Sequence, residues 1–95
     1  MTARYWKDLT TEDFATLDSA RTVAVLPVAA TEQHGPHLPL SVDTDLVNGV
    51  VAASLPHLPR DLPVLFLPTQ NVGLSPEHAG FAGTLTLKAE TVIRL

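Results

Sequence analysis

Two short apolar runs flank a single helix-periodic segment, and that order narrows the folds open to this 95-residue chain more than any other feature. The first run, Thr22-Val23-Ala24-Val25-Leu26, is rich in β-branched residues and too short for a helix. Its near-continuous apolarity predicts a strand buried on both faces. The second run, Pro63-Val64-Leu65-Phe66-Leu67-Pro68, is bracketed by prolines and predicts another buried strand. Between them Leu46, Val47, Val50, Val51 and Leu55 recur at helical spacing and mark an inner face. Asp43 or Thr44 can cap that helix, and Pro56 and Pro59 stop it. Strand, helix and strand make a βαβ unit, whose strands are expected to be parallel and joined right-handedly. Pro27 lacks the N–H that a central ladder needs, so pairing is expected to break there, at a bulge.

The flanks are less decisive. Thr10 followed by Asp13 makes a capping-box pattern, with Glu12 favourable in the first turn. The helix it opens carries Phe14 and Leu17 on one face and is expected to end near Ser19. After the second strand, residues 70–80 form another polar loop. Residues 81–87 read as irregular or extended, with a bend at Gly83. A third helix is expected from near Lys88, with Val92, Ile93 and Leu95 as its apolar residues. No stop signal follows them, so residues 1–95 read as the first part of a larger α/β domain, cut within its third helix.

Chemistry concentrates directly after the first strand, where α/β folds place their ligands. Residues 31–45 run Thr31-Glu32-Gln33-His34-Gly35-Pro36-His37-Leu38-Pro39-Leu40, then Ser41-Val42-Asp43-Thr44-Asp45. Glu32 and His34 are two apart, so extended backbone points them the same way. Asp43 can join them from the start of the helix. Two carboxylates and an imidazole suit zinc, manganese or another divalent ion, and the absence of cysteine leaves only nitrogen and oxygen donors. A carboxylate shared by two ions would make a two-metal site. Gly35 allows a sharp turn, and Pro36 and Pro39 stiffen the loop. Plainer roles exist for each residue. Glu32 and His34 could be a solvated pair, Asp43 a helix cap, and His37 a partner of the loop backbone. His57 among its prolines reads as an exposed loop residue, and Glu77 and His78 as a surface pair.

Composition removes other classes. A net charge of −4 lacks the basic face that nucleic acid requires. No apolar run is long enough to span a bilayer. The opening, Met1-Thr2-Ala3-Arg4-Tyr5-Trp6, has no apolar signal core, so a cytoplasmic protein is expected.

The run Pro27-Val28-Ala29-Ala30-Thr31-Glu32-Gln33-His34-Gly35-Pro36-His37-Leu38-Pro39-Leu40, followed by Asp43-Thr44, resembles the signature of the creatininase (creatinine amidohydrolase) family. Ser75-Pro76-Glu77-His78, with Phe81 and Gly83-Thr84-Leu85-Thr86-Leu87, resembles that family's second marker. The resemblance implies a three-layer α/β/α sandwich with a mostly parallel sheet, assembled as a homo-oligomer, a hexamer in the family. It implies a metal-dependent hydrolase of C–N bonds in a cyclic amide, a formamide or a short peptide, acting through metal-activated water at a dinuclear zinc or manganese site. Carried over, Glu32 and His34 are terminal ligands and Asp43 the bridge, while His37 and His78 lie near substrate or behind the ligands. The usual Phe-Pro-Gly-Thr is here Phe81-Ala82-Gly83-Thr84, which removes no ligand. The family's remaining His and Glu ligands, and its general acid, fall beyond residue 95. The competing expectation is therefore a catalytically incomplete fragment, or an interaction module keeping the first half of the fold, whose open sheet edge seeks a partner.

Overall fold

The computed structural model describes residues 3–95. Met1 and Thr2, at the head of the opening segment, lie outside the described residues. A 3-10 turn at Trp6–Asp8 leads into helix α1 (Thr11–Thr16) and strand β1 (Val23–Val25). Helix α2 (Val42–Ser54) runs into a 3-10 turn at Leu55–His57 and then strand β2 (Val64–Phe66). A further 3-10 turn at Pro76–His78 precedes helix α3 (Ala89–Ile93). The α/β class read from the sequence is the one observed.

β1 and β2 pair in parallel, Val23 with Val64, Ala24 with Leu65 and Val25 with Phe66. β2 is bonded along both edges: the Leu67 N–H donates to Val25 O at 2.8 Å, and the Phe66 N–H donates to Arg4 O at 2.8 Å on the other side. Leu65 and Phe66 are accordingly buried, and with Val51 of α2 they form the core. β1 does not match the expectation of a strand buried on both faces. Val23 is 53% and Leu26 51% exposed, because no described element packs over them. The same holds on α2, where Val51 is buried but Leu46 and Val50 of the expected inner face are 63% and 68% exposed.

Pairing breaks where Pro27 predicts, but the extra residue sits on the other strand. Beyond the regular ladder, Val28 bridges Gln70. Two residues separate Val25 from Val28, and three separate Phe66 from Gln70. Pro27 itself is buried, and its carbonyl accepts from the Gln70 N–H at 2.9 Å. A one-residue slip of this kind reverses the faces of everything after it.

Helix ends follow side-chain chemistry. Thr10 Oγ1 accepts from the Asp13 N–H at 3.1 Å while Asp13 Oδ2 accepts from the Thr10 N–H at 2.8 Å, completing the capping box. α1 stops at Thr16, short of Ser19, because Asp18 organises a turn: its carbonyl accepts from Arg21, Thr22 and the Thr22 hydroxyl, and its carboxylate from the Ala20 N–H. α2 begins at Val42, ahead of both expected caps. Ser41 holds the N-cap position but spends its hydroxyl on Asp45 Oδ2 at 2.8 Å. Asp43 and Thr44 therefore lie inside the first turn, where a carboxylate is favoured by the helix dipole and its oxygens stay free.

Arg4 carries no signal in the sequence, yet it is buried. Its guanidinium donates to the carbonyls of Pro59, Leu62 and Val64, tying the start of the chain to the segment between α2 and β2. Among the described residues, no helix is long and apolar enough to cross a membrane.

Candidate metal centre

Three segments meet at the carboxyl end of the strands: residues 31–35 after β1, the first turn of α2, and residues 75–84. Thr31 anchors the first, donating from Oγ1 to Asn71 O at 2.7 Å and accepting at its carbonyl from the Leu85 N–H at 2.8 Å. Thr44 Oγ1 donates to Asn71 Oδ1 at 3.1 Å, so Asn71 joins the first loop to α2. Gly35 turns the loop with φ of +81°, a region that costs other residues about 1–2 kcal/mol. Gly83 is held at φ +89°, and a Cβ there would stand 2.8 Å from Leu40 Cδ1. That close approach sets Thr84, whose Oγ1 accepts from the Gln33 N–H at 3.1 Å.

On this frame Glu32, His34 and Asp43 each place a ligand atom within 4.8 Å of the others, and all three are half-buried. His34 Nε2 lies 3.3 Å from Asp43 Oδ1. Its Nδ1 lies 2.9 Å from the carbonyl oxygen of Glu32. A carbonyl can only accept, so Nδ1 carries the proton and the lone pair of the neutral ring sits on Nε2, facing a carboxylate. Lone pair and anion repel unless a cation lies between them. Without metal a proton can take that place. The hydrogen bond to the Glu32 carbonyl raises the His34 pKa above its ordinary value, partial burial opposes this, and the Asp43 and Glu32 charges raise it further. With metal, the same three side chains are a nitrogen and two oxygen donors of the kind zinc and manganese accept, and the backbone hydrogen bond on Nδ1 is the usual orienting contact of a ligating histidine. The donor set fits a divalent ion.

His78 stands beside this cluster. Its N–H donates to Ser75 O at 3.1 Å, and its Nε2 is 3.9 Å from Glu32 Oε2 and 3.8 Å from Glu77 Oε1. Glu32, Glu77 and His78 also place ligand atoms within 4.8 Å of one another. His37 is exposed and enters neither group. His57 is exposed in the turn after α2, away from both groups.

Gln33 is the residue that sequence reasoning passed over. It lies in the middle of the Glu32-Gln33-His34 run with no chemistry of its own to announce it. In the structure its Oε1 accepts from the Gly35 N–H at 2.9 Å and its Nε2 meets His78 Nδ1 at 2.8 Å. Ser75, two residues before Glu77, was equally silent. It is fully buried, and its N–H donates to Thr86 Oγ1 at 2.8 Å.

Residues 7–95 match the family model described as creatininase, creatinine amidohydrolase. The mycofactocin precursor peptide peptidase of Mycobacterium tuberculosis (strain CDC 1551 / Oshkosh) is 39% identical over 85 residues, covering 83% of this chain and 34% of its own length. The protein of the same name from Mycobacterium ulcerans is 36% identical over 90 residues, covering 90% of this chain and 36% of its own. Among solved structures, a mutant creatininase described as Zn-Zn type superposes with a TM-score of 0.75 at 27% identity. It matches 94% of this chain and 35% of the creatininase chain. The chain thus spans about a third of the length of the relatives it matches.

Proposed function

The chain belongs to the creatininase family, and from that premise we propose that residues 1–95 form the amino-terminal portion of a metal-dependent hydrolase that cleaves a C–N bond. One observation carries the reading: the His34 lone pair set 3.3 Å from Asp43, with Glu32 completing a three-donor cluster within 4.8 Å. Bound there, a divalent ion such as zinc or manganese supplies a Lewis acid and a water of lowered pKa. Glu32 and His34 would serve as terminal ligands from the loop, one to each ion of a dinuclear site, and Asp43 would serve both from α2. Asp43 has a second carboxylate oxygen, which is what a bridge between two ions in a dinuclear site requires.

Among cyclic amides, formamides and short peptides, the peptide is the favoured substrate class. The relatives named as peptidases are 36% to 39% identical to this chain, against 26% to 27% for the creatininases. His37, exposed on the same stiff loop and outside both clusters, is assigned to substrate or to the shell behind the ligands. Assaying creatinine, a formamide and a short peptide side by side tests the reading in the natural protein that carries this chain. Peptide cleavage abolished by a chelator and restored by zinc or manganese is expected. Full turnover in Asp43→Ala overturns the metal centre.

A second reading, a non-catalytic interaction module, is favoured by the uncovered apolar residues Val23, Leu46 and Val50. Exposed groups of this kind seek a partner, and association into a homo-oligomer would cover them equally well. Metal-dependent turnover by the 95-residue chain alone counts against the module.

A further inference from the structure

The two nitrogens of His78 are not equivalent, and Gln33 decides between them. The Gly35 N–H is a donor with no alternative, so the Gln33 atom it meets at 2.9 Å is the carbonyl oxygen Oε1. The other arm of the amide, 2.8 Å from His78 Nδ1, is then the NH2 group. An NH2 group only donates. Nδ1 of His78 must accept, and the proton of the neutral ring goes to Nε2. That proton faces Glu32 Oε2 at 3.9 Å and Glu77 Oε1 at 3.8 Å. The main chain of Gln33 is itself held, its backbone N–H donating to Thr84 Oγ1 at 3.1 Å.

We propose that Gln33 is a positioning residue that fixes His78 as the Nε2–H tautomer, so that His78 presents a proton to Glu32 and is kept out of the metal's coordination sphere. Glu32, Glu77 and His78 come close enough together to compete for an ion. A neutral imidazole ligates through a lone pair, and the only nitrogen of His78 that faces these carboxylates has none. The proton on Nε2 instead turns its positive end toward the Glu32 carboxylate across 3.9 Å. Metal is thereby directed to His34 and Asp43. The proposal rests on the metal centre described above only in its last step; the tautomer itself is a property of the metal-free chain.

The experiment is nitrogen NMR on the protein with 15N-labelled histidine, under conditions where the imidazoles are neutral. Couplings to the ring protons identify which nitrogen is protonated. In the metal-free wild type, His78 is expected as Nε2–H and His34 as Nδ1–H. In Gln33→Glu, whose carboxylate still accepts from Gly35 but can no longer donate, His78 is expected to invert to Nδ1–H. Adding zinc to the wild type is expected to move the His34 Nε2 resonance and leave His78 Nε2 bearing its proton. In Gln33→Glu, zinc is expected to move His78 Nε2 as well. A wild-type His78 protonated on Nδ1, or a folded Gln33→Glu with an unchanged tautomer, overturns the proposal. Should Gln33→Glu fail to fold, the wild-type tautomer and the zinc response of His78 decide it alone. Absence of any zinc response at His34 refutes the metal centre instead, and leaves the tautomer measurement standing.

Discussion

His34 and His78 sit on the two loops that leave the parallel strands, and each is pinned at Nδ1 by a partner within 3 Å, yet they are set up for opposite work. His34 is held by a main-chain carbonyl, an acceptor, and turns a lone pair toward Asp43. His78 is held by an amide NH2, a donor, and turns a proton toward Glu32. The atom on the far side of the ring, not the ring or its distance from carboxylates, decides whether a histidine can ligate. Among the described residues, metal-ligating types cluster twice at this end of the molecule, and one of the two clusters has its nitrogen prepared for an ion.

The sharpest way to break that contrast is to remove the carboxylate that faces the lone pair. Asp43→Ala in the natural protein is expected to cut metal affinity by more than the ~10–100-fold that loss of an outer-sphere partner costs. Equilibrium dialysis with metal analysis reads this directly. The paired substitutions come next. His34→Gln should match the Asp43→Ala loss, whereas His78→Gln should weaken binding by no more than about 10–100-fold, as an orienting contact does. Equal losses in the two variants would erase the distinction.

A pH series sharpens it further. The His34 pKa is raised, so the proton competes for Nε2 at pH values where an ordinary histidine is already neutral. Metal affinity is therefore expected to climb with pH through a midpoint above about 6.5. Stability of the metal-free chain has the opposite sign. Protonated His34 is favoured in the folded state, so its contribution is fully present below the unfolded pKa and is lost as pH rises through the folded one. Thermal melts with and without metal should thus diverge as pH increases.

Smaller effects test the frame behind the two loops. Gly83→Ala places a side chain at φ +89° and into Leu40, and should cost about 1–2 kcal/mol in urea titrations while disturbing the Thr84–Gln33 contact. Thr10→Ala removes the α1 cap, far from either histidine, and should cost about 1 kcal/mol with no change in metal affinity.

The sequence made the βαβ order, the capping box and the residues of the first cluster legible, because each rests on local spacing. Glu32 and His34 come together within one short loop, and Asp43 joins them from the first turn of a helix. Burial was less legible. Val23, Leu46 and Val50 have the pattern of residues meant to be covered, but pattern records a face's preference for cover and not which segment provides it. Arg4 draws no notice in the sequence, and Gln33 and Ser75 figure only as letters of the two family motifs with no role assigned, for another reason. Each acts by hydrogen bonding to atoms far along the chain, and Arg4 and Ser75 spend those bonds on partners 11 to 60 residues away. Nothing in their neighbourhood of sequence signals such a bond.

The unequal spacing that sets Val28 opposite Gln70 bears on how this segment can vary. The stretch between Phe66 and Gln70 carries one residue more than its partner, and that surplus sets which way Gln70 faces as it bridges Val28. Deleting one residue there would turn Gln70 and Asn71 to the opposite face while changing no functional side chain. Related chains should therefore accept many different residues at positions 67–69 but almost no insertions or deletions.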